Sequence, residues 1–176
     1  MEFSKYVFDK RFSPEKNLIS VSGALVSLHC HHFNCGLLKA IEELKGIDGL
    51  TLFVKTTEEV YRHFFSDYLK QHPELTTPAD KLQAASEMYY AFGFGKLNLS
   101  NLNEQGGTAK ATSSYYVTAW LAKYGRRHTP VCYFTCGFIA GVLESVFTKP
   151  IGSYKVKETK CLITGSDFCE FEVKAI

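Results

Sequence analysis

The sequence lacks several features that would assign a class of protein at once. No apolar run reaches the ~18 residues that a membrane-spanning helix needs, so we predict no transmembrane segment. The 20 basic and 18 acidic residues leave a net charge of +2, which gives no basic excess for nucleic acid. Residues 1–17 interrupt every short apolar group with charge, unlike a signal peptide. These absences predict a cytoplasmic protein that binds no nucleic acid.

Signals for a nucleotide cofactor and for several domains are missing as well. No G-x-G-x-x-G follows a predicted strand, so we do not predict hydride transfer from a bound dinucleotide. No repeat, linker or low-complexity tract divides the chain of 176 residues, and this length suits one domain with its own core. We therefore predict a single domain, 1–176, with a mainly helical part at 1–109 and a metal-binding part at 110–176.

The part at 1–109 has the patterns of helices. Residues 1–19 alternate weakly, which favours an extended arm or an edge strand. Ser20 or Ser22 can cap a helix that runs to about Lys45 and ends at Gly46. The remaining elements predicted here are a strand at 50–54, helices at 56–71 and 77–92, and a hairpin from about 97 to 112. Aromatic residues of the two helices either fill the core or line an apolar cavity.

The part at 110–176 has the clearer pattern. It predicts helices at 114–123 and 131–147, strands at 151–161 and 168–173, and a tight turn at 165–167. Gly137 and Gly141 are four residues apart in the second helix and form a face without side chains, called the small face. We expect this face to lie against the sheet or against a second subunit.

A histidine-rich segment, LHCHHFNCG at 28–36, is unusual for a helix. His29 and His32 are three residues apart, and His31 and Cys35 are four apart. Such spacings let two side chains reach one metal or one ligand. An ordinary helix, whose small polar groups bond to backbone or water, explains the same residues. We keep His29, Cys30, His32 and Cys35 as candidates for ligand contacts or for a second metal site.

Four residues near the C-terminus have the spacing of a metal site. Cys161 and Cys169 would lie opposite each other across the turn near Gly165, and Cys132 could supply a further ligand. Glu158 is out of phase with Cys161 on a strand, so a bulge or the strand end must bring them together. Three thiolates and one carboxylate suit tetrahedral Zn²⁺. Small buried cysteines explain the pattern equally, and an iron–sulfur cluster would use Cys136 in place of Glu158.

The same stretch resembles the 4-vinyl reductase domain family. The matching motifs are AWLAKYG at 119–125, PVC at 130–132, GFIAG at 137–141, E-x-x-C at 158–161 and CEFEV at 169–173. The resemblance implies an α/β (α+β) fold, with an antiparallel sheet packed with helices. Aromatic-sensor domains of bacterial transcription activators and transport-particle subunits share this fold. It further implies structural zinc on Cys132, Glu158, Cys161 and Cys169, and commonly a homodimer.

The resemblance also implies a role in binding. Members of this family hold a small hydrophobic molecule between helices and sheet, so we expect a cytoplasmic binding protein for an aromatic or tetrapyrrole-like ligand. The alternative is a metal-dependent or iron–sulfur redox protein, or an enzyme, with a second site on residues 28–36. Zinc is the expected cofactor, with an iron–sulfur cluster or haem as alternatives.

Overall fold

A computed structural model describes residues 8–176, which form two antiparallel sheets and five α-helices. The strands are β1 (Lys10–Ser13), β2 (Leu18–Val21), β3 (Ala24–Val26), β4 (Gly95–Asn98), β5 (Leu102–Asn103), β6 (Gly106–Ser114), β7 (Tyr154–Lys160) and β8 (Cys169–Ala175). The helices are α1 (His31–Glu42), α2 (Gly49–Gln71), α3 (Pro78–Ala91), α4 (Tyr115–Tyr124) and α5 (Tyr133–Val146), and a short 3-10 helix covers Leu162–Thr164.

A small sheet replaces the first part of the helix predicted from Ser20. Strands β1, β2 and β3 pair as a meander, so the predicted edge strand exists, although residues 1–7 lie outside the described range. Ser22 and Gly23 turn the chain with φ of 46° and 83°, the left-handed pair that a two-residue hairpin turn requires. The prediction was wrong because the turn formed by Ser22 and Gly23 ends the apolar helical period at this point. Helix α1 begins at His31 and ends at Glu42.

The larger sheet has the strand order β4-β6-β8-β7, and β5 also pairs with β6. The predicted hairpins near residues 97–112 and 151–173 are therefore confirmed. Strand β6 crosses the boundary at 109/110 that the sequence suggested between two parts of the chain. The C-terminal part is consequently built into the same sheet as the strands that precede it.

Helix α2 is longer than predicted and includes the residues expected to form a strand at 50–54. The backbone N–H of Thr51 donates to Asp48 Oδ1 at 3.0 Å, so Asp48 caps the helix and extends it toward the N-terminus. A run of five apolar and β-branched residues does not distinguish strand from helix by itself. The predicted start of α3 is confirmed, since Asp80 N–H donates to Thr77 Oγ1 at 3.1 Å and Pro78 follows the cap.

Helix α5 is the centre of the core. Every residue from Thr135 to Val146 is buried, as expected of a helix that is covered on all sides. It packs against α2 and against β7. A Cβ atom on Gly137 or Gly141 would overlap a backbone oxygen of α2, from Val54 or Glu58 respectively. The small face therefore contacts α2 of the same chain, and its predicted position against the sheet or a second subunit was wrong.

Candidate metal centre and the adjoining cleft

Four side chains from three parts of the chain meet at one end of the larger sheet. Cys132 lies at the N-terminus of α5, Glu158 on β7, Cys161 just before the 3-10 helix, and Cys169 at the start of β8. One donor atom from each lies within 4.8 Å of all the others. The Sγ atom of Cys169 is 3.8 Å from both Cys132 Sγ and Cys161 Sγ.

The backbone explains how this convergence arises. The pairing of β7 with β8 shifts between Glu158 and Lys160, and the extra residue returns Cys161 to the face of Glu158. Gly165, with φ of 98°, then reverses the chain. Leu162 N–H donates to Cys169 Sγ at 3.4 Å. The spacing of the carboxylate and the thiol predicted that a bulge or the strand end would align them, and the structure has a bulge.

The donor set fits a divalent metal ion. Zn–S bonds of about 2.3 Å in a tetrahedron place two sulfur atoms roughly 3.8 Å apart, which is the separation of the thiol pairs here. Glu158 Oε2 accepts from Cys132 N–H at 3.0 Å. Its other oxygen, Oε1, is buried without a hydrogen-bond partner among residues 8–176. A buried carboxylate oxygen without a partner is costly, and a cation would satisfy it.

The pKa shifts inside the cluster also favour binding of a metal ion. Burial raises the pKa of Glu158 to about 8, and the neighbouring Cys161 adds to this. Hydrogen bonds from Cys132 and Cys169 lower the pKa of Cys161, whereas the pKa of Cys132 is raised by its bond to Cys161. Without a cation the cluster thus concentrates its negative charge on one thiolate. A metal ion would displace the remaining protons, because the ligands of Zn²⁺ bind in their ionised form.

Cys136 does not belong to this group of donor atoms. It is buried one turn further along α5, and burial raises the pKa of its thiol. Within residues 8–176 the cluster contains Glu158 and omits Cys136. The arrangement therefore matches the zinc ligand set better than the four thiolates of an iron–sulfur cluster.

The histidine-rich segment is not gathered into a second group. His29, Cys30 and His32 are exposed, and Cys35 is buried in the core. The ring of His29 stacks on Phe33 at a centroid distance of 4.5 Å. In the described part of the chain, the group of donor atoms that could hold a metal contains no histidine. Within residues 8–176 these side chains do not meet as a group of three donors, although the ring centroids of His31 and His32 lie 4.0 Å apart.

A cleft of about 230 Å³ opens between α1, α2, α4 and α5. Apolar and aromatic side chains form most of its wall, and a few hydroxyl and amide groups interrupt it. It is lined by Asn34, Leu37, Leu38, Phe53, Thr56, Thr57, Val60, Tyr61, Tyr116 and Phe134. A wider and more polar groove of about 810 Å³ lies between the start of α3, β5 and the end of α5, away from the metal cluster.

Two tyrosines give the cleft its polar character. Neither the hydroxyl of Tyr61 nor that of Tyr116 makes a hydrogen bond to another residue of the described chain, while Tyr89 OH is bonded to Thr135 Oγ1 at 2.7 Å. Burial raises the pKa of both Tyr61 and Tyr116, so both hydroxyls stay neutral donors. They are available to a ligand that carries a hydroxyl group.

The cleft and the metal cluster share structural elements. Cys132 Sγ lies 3.4 Å from Ser114 Oγ, and Ser114 caps the helix that carries Tyr116. Phe134 follows Cys132 by two residues, and its ring centroid lies 5.3 Å from that of Tyr116. The positions of both rings are thus tied to the position of Cys132.

The sequence did not single out the residues of the cleft. Tyr61 lies within the apolar period of α2, and Tyr116 belongs to a short helix whose pattern carries no signal for a ligand. Asn34 is the exception with a visible signal, since it interrupts the apolar stripe of α1 and its Nδ2 donates to Tyr115 OH at 3.0 Å. Helix contacts over long sequence separations decide which of these side chains line a cleft.

Comparison with known proteins agrees with the predicted family and with the fold. Residues 115–175 match the family model of the 4-vinyl reductase domain, the family that the motifs predicted. An uncharacterized protein of Methanocaldococcus jannaschii is 43% identical over 47 residues, which cover 27% of this chain and 24% of that protein. The match thus spans about a quarter of that relative's length.

Two solved structures share the architecture. The phenol-responsive sensory domain of the transcription activator PoxR, solved with phenol, superposes with a TM-score of 0.78 at 16% identity, covering 94% of this chain and 84% of that one. Subunit 3 of a trafficking protein particle complex from Naegleria fowleri, covalently bound to palmitic acid, gives 0.54 at 13% identity, covering 82% and 92%. The predicted fold is therefore confirmed. No helix among residues 8–176 is long and apolar enough to cross a membrane.

Proposed function

Because residues 115–175 are a 4-vinyl reductase domain, we propose that this chain is a cytoplasmic protein that binds a small aromatic molecule in the cleft between α1, α2, α4 and α5. The observation that carries the proposal is a pair of hydroxyls, Tyr61 and Tyr116, that have no hydrogen-bond partner among residues 8–176 and line a mostly apolar cleft. Such a cleft recognises one ring by packing and one hydroxyl by hydrogen bonding.

The size of the cleft narrows the class of ligand. Sites for drug-sized molecules measure roughly 300–1,000 Å³, and this cleft measures about 230 Å³. A single substituted ring suits it, whereas a tetrapyrrole would require the helices to separate. The sensory domain with the same fold was solved with phenol, and a hydroxylated ring is the ligand class that we propose here.

The metal cluster has a structural role in this proposal. Four protein ligands leave no open coordination position for a substrate, so zinc on Cys132, Glu158, Cys161 and Cys169 would stabilise the fold. It would join the start of α5 to β7 and β8, and thereby hold Phe134 at the cleft. Six unpaired cysteines suit the reducing cytoplasm.

A homodimer is part of the proposal. Large apolar side chains are exposed on the small sheet and at the start of α1, namely Phe12, Leu25, Leu28 and Phe33. Exposed apolar patches of this kind mark interaction surfaces, and a second copy of the chain is the proposed partner. Sedimentation equilibrium should give twice the chain mass, and Leu25→Glu should give the monomer. A monomer in the unmutated protein contradicts this part.

Ligand binding can be tested with phenol and toluene as matched probes. Trp120 is the sole tryptophan of the chain and lies one turn beyond Tyr116 on α4, so its fluorescence should report binding. Phenol should bind more tightly than toluene, and Tyr61→Phe with Tyr116→Phe should remove about ten-fold of that preference, as expected for lost hydrogen bonds. Tyr90→Phe, at an exposed tyrosine, is the control. Binding of neither probe contradicts the proposal.

Elemental analysis separates the proposal from the redox alternative. One zinc per chain, lost in Cys161→Ser, supports a structural site. Iron, or two metal ions per chain, would instead support a redox protein with a second site near His29, Cys30, His32 and Cys35. The exposed positions of three of these residues favour the first outcome.

A further inference from the structure

Two carboxyl groups lie side by side in the seam between α2 and α5, apart from the cleft and the cluster. Glu144 on α5 is fully buried, and Glu58 on α2 is 6% exposed. Gly152 N–H donates to Glu58 Oε1 at 2.9 Å and to Glu144 Oε1 at 2.7 Å. Ser153 N–H donates to the same oxygen of Glu144 at 3.0 Å. Both carboxyl groups therefore accept hydrogen bonds from the turn before β7.

Within the described residues, no cation is paired with either carboxyl group. Among residues 8–176, no lysine or arginine forms an ion pair with Glu58 or Glu144. Tyr154 from β7 is a titratable group near the pair: burial raises its pKa, and Glu104 and Glu144 add to this. The side chains of Arg62 and Lys149 are engaged with other partners. The Nε atom of Arg62 donates to the backbone oxygen of Lys149 at 3.2 Å, and the Nζ atom of Lys149 is 2.6 Å from Glu104.

One oxygen of the pair has no donor. Glu144 Oε2 is buried and accepts no hydrogen bond from any residue of the described chain. If one of the two carboxyl groups is protonated, it can donate a hydrogen bond to the other carboxylate. Glu144 Oε2 would then have a hydrogen-bond partner. Two adjacent carboxylates in a buried site share a proton for this reason, because both cannot be ionised.

We propose that Glu58 and Glu144 share one proton, and that this proton holds the turn at 150–153 against the α2–α5 seam. Loss of the proton would place two negative charges in a seam where Gly141 already brings the helix backbones close together. The turn and the start of β7 would then separate from the helices. Because Thr57, next to Glu58, lines the cleft, the same event would loosen one wall of the cleft.

The direction of the pH effect follows from the environment. Burial, together with the neighbouring carboxyl group of Glu58, raises the pKa of Glu144 to about 8. The unfolded carboxyl has an ordinary pKa of 4.5, whereas the folded one keeps its proton to about pH 8. The pair therefore favours folding most at a pH below the unfolded pKa, loses this contribution as the pH rises toward the folded pKa, and changes little above that. This inference does not depend on the proposed ligand.

Urea unfolding of the zinc-saturated chain between about pH 5 and pH 8.5 tests the shared proton. Glu144→Gln keeps the shape and supplies a permanent N–H donor to Glu58, so its urea midpoint should not decline with the loss of the proton. The midpoint of the unmutated chain should fall relative to Glu144→Gln by on the order of 1 M across this range. Glu58→Gln should behave in the same way. Glu59→Gln, exposed on the same helix, should follow the unmutated chain.

A local measurement connects the proton to the turn. Hydrogen exchange, corrected for its intrinsic pH dependence, should show lower protection of the Gly152 and Ser153 amides above about pH 8, and Glu144→Gln should retain that protection. If the midpoint difference between the unmutated chain and Glu144→Gln is independent of pH, the proposal is wrong.

Infrared spectroscopy covers the case in which neither glutamine variant folds. The zinc-saturated, unmutated chain should retain the carbonyl band of a protonated carboxyl group at about pH 7 and lose it above roughly pH 8.5. Absence of that band near neutral pH overturns the proposal.

Discussion

The metal cluster and the histidine-rich segment look equally rich in ligands, yet the fold treats them differently. Cys132, Glu158, Cys161 and Cys169 are far apart along the chain and converge within 4.8 Å. Residues 29–35 are neighbours in sequence, yet the described chain gathers no three of their donor atoms into one group. Convergence of backbone segments makes a site, whereas local density of ligand residues does not.

The backbone features that cause convergence are specific. A bulge between Glu158 and Lys160 sets the phase of one strand, and a glycine turn returns the next strand to it. Lys123 of α4 reaches the histidine-rich segment, where its Nζ donates to His32 O at 2.8 Å. That partner is a cation, which opposes a metal ion.

The largest effect is expected from removing one ligand of the cluster. Cys169→Ser should abolish binding of zinc and lower the free energy of unfolding by at least about 3 kcal/mol, because loss of a bound metal is among the most destabilising changes. For a chain of this size the thermal midpoint should fall by roughly 10 °C. Elemental analysis and calorimetry measure both effects.

The exposed thiol Cys30 provides the matched control for that prediction. Cys30→Ser changes the same atom type outside the cluster, so zinc content and thermal midpoint should stay the same. An equal loss in both variants would mean that thiol chemistry, and not the cluster, stabilises the chain.

A nearly equal effect is expected from changing the register of β7. Insertion of one alanine between Thr159 and Lys160 should move Cys161 out of phase with Glu158 and abolish binding of zinc. Deletion of Thr159 should retain binding of zinc. Glu158 and Cys161 would then be two positions apart, and a strand without a bulge places such residues on the same face. Zinc content distinguishes the two variants, and retention in the insertion would show that the bulge is not what aligns the ligands.

Much of the C-terminal architecture could be predicted, for identifiable reasons. The turn at Gly165 and the apolar period of α5 are local signals, and the spacing of Glu158 and Cys161 required a bulge or the strand end. Strands β2 and β3 were missed because Ser22-Gly23 competes with a helical period that resumes at His31. Glu144 and Glu58 were missed because a single acid within an apolar helix does not reveal its partner 86 residues away.

A smaller effect is expected at the cleft when zinc is removed. Chelation should weaken phenol binding by about five-fold, or ~1 kcal/mol, because Cys132 is bonded to Ser114, the cap of the Tyr116 helix, and precedes Phe134. Phenol should raise zinc affinity by the same factor. Restoring zinc should restore the Trp120 fluorescence response, and an unchanged affinity for phenol would separate the cluster from the cleft.

The smallest effect is expected in the histidine-rich segment. His29→Ala with His32→Ala should leave the zinc content at one per chain and change the free energy of unfolding by less than about 0.5 kcal/mol, as is usual for exposed side chains. The change removes the stacking of His29 on Phe33, but both rings are exposed to water in the folded chain, so little stability should be lost. Elemental analysis beside urea unfolding checks the prediction. If the double variant binds one metal ion fewer per chain than the unmutated protein, the histidine-rich segment binds a metal in solution. Both regions would then be metal sites.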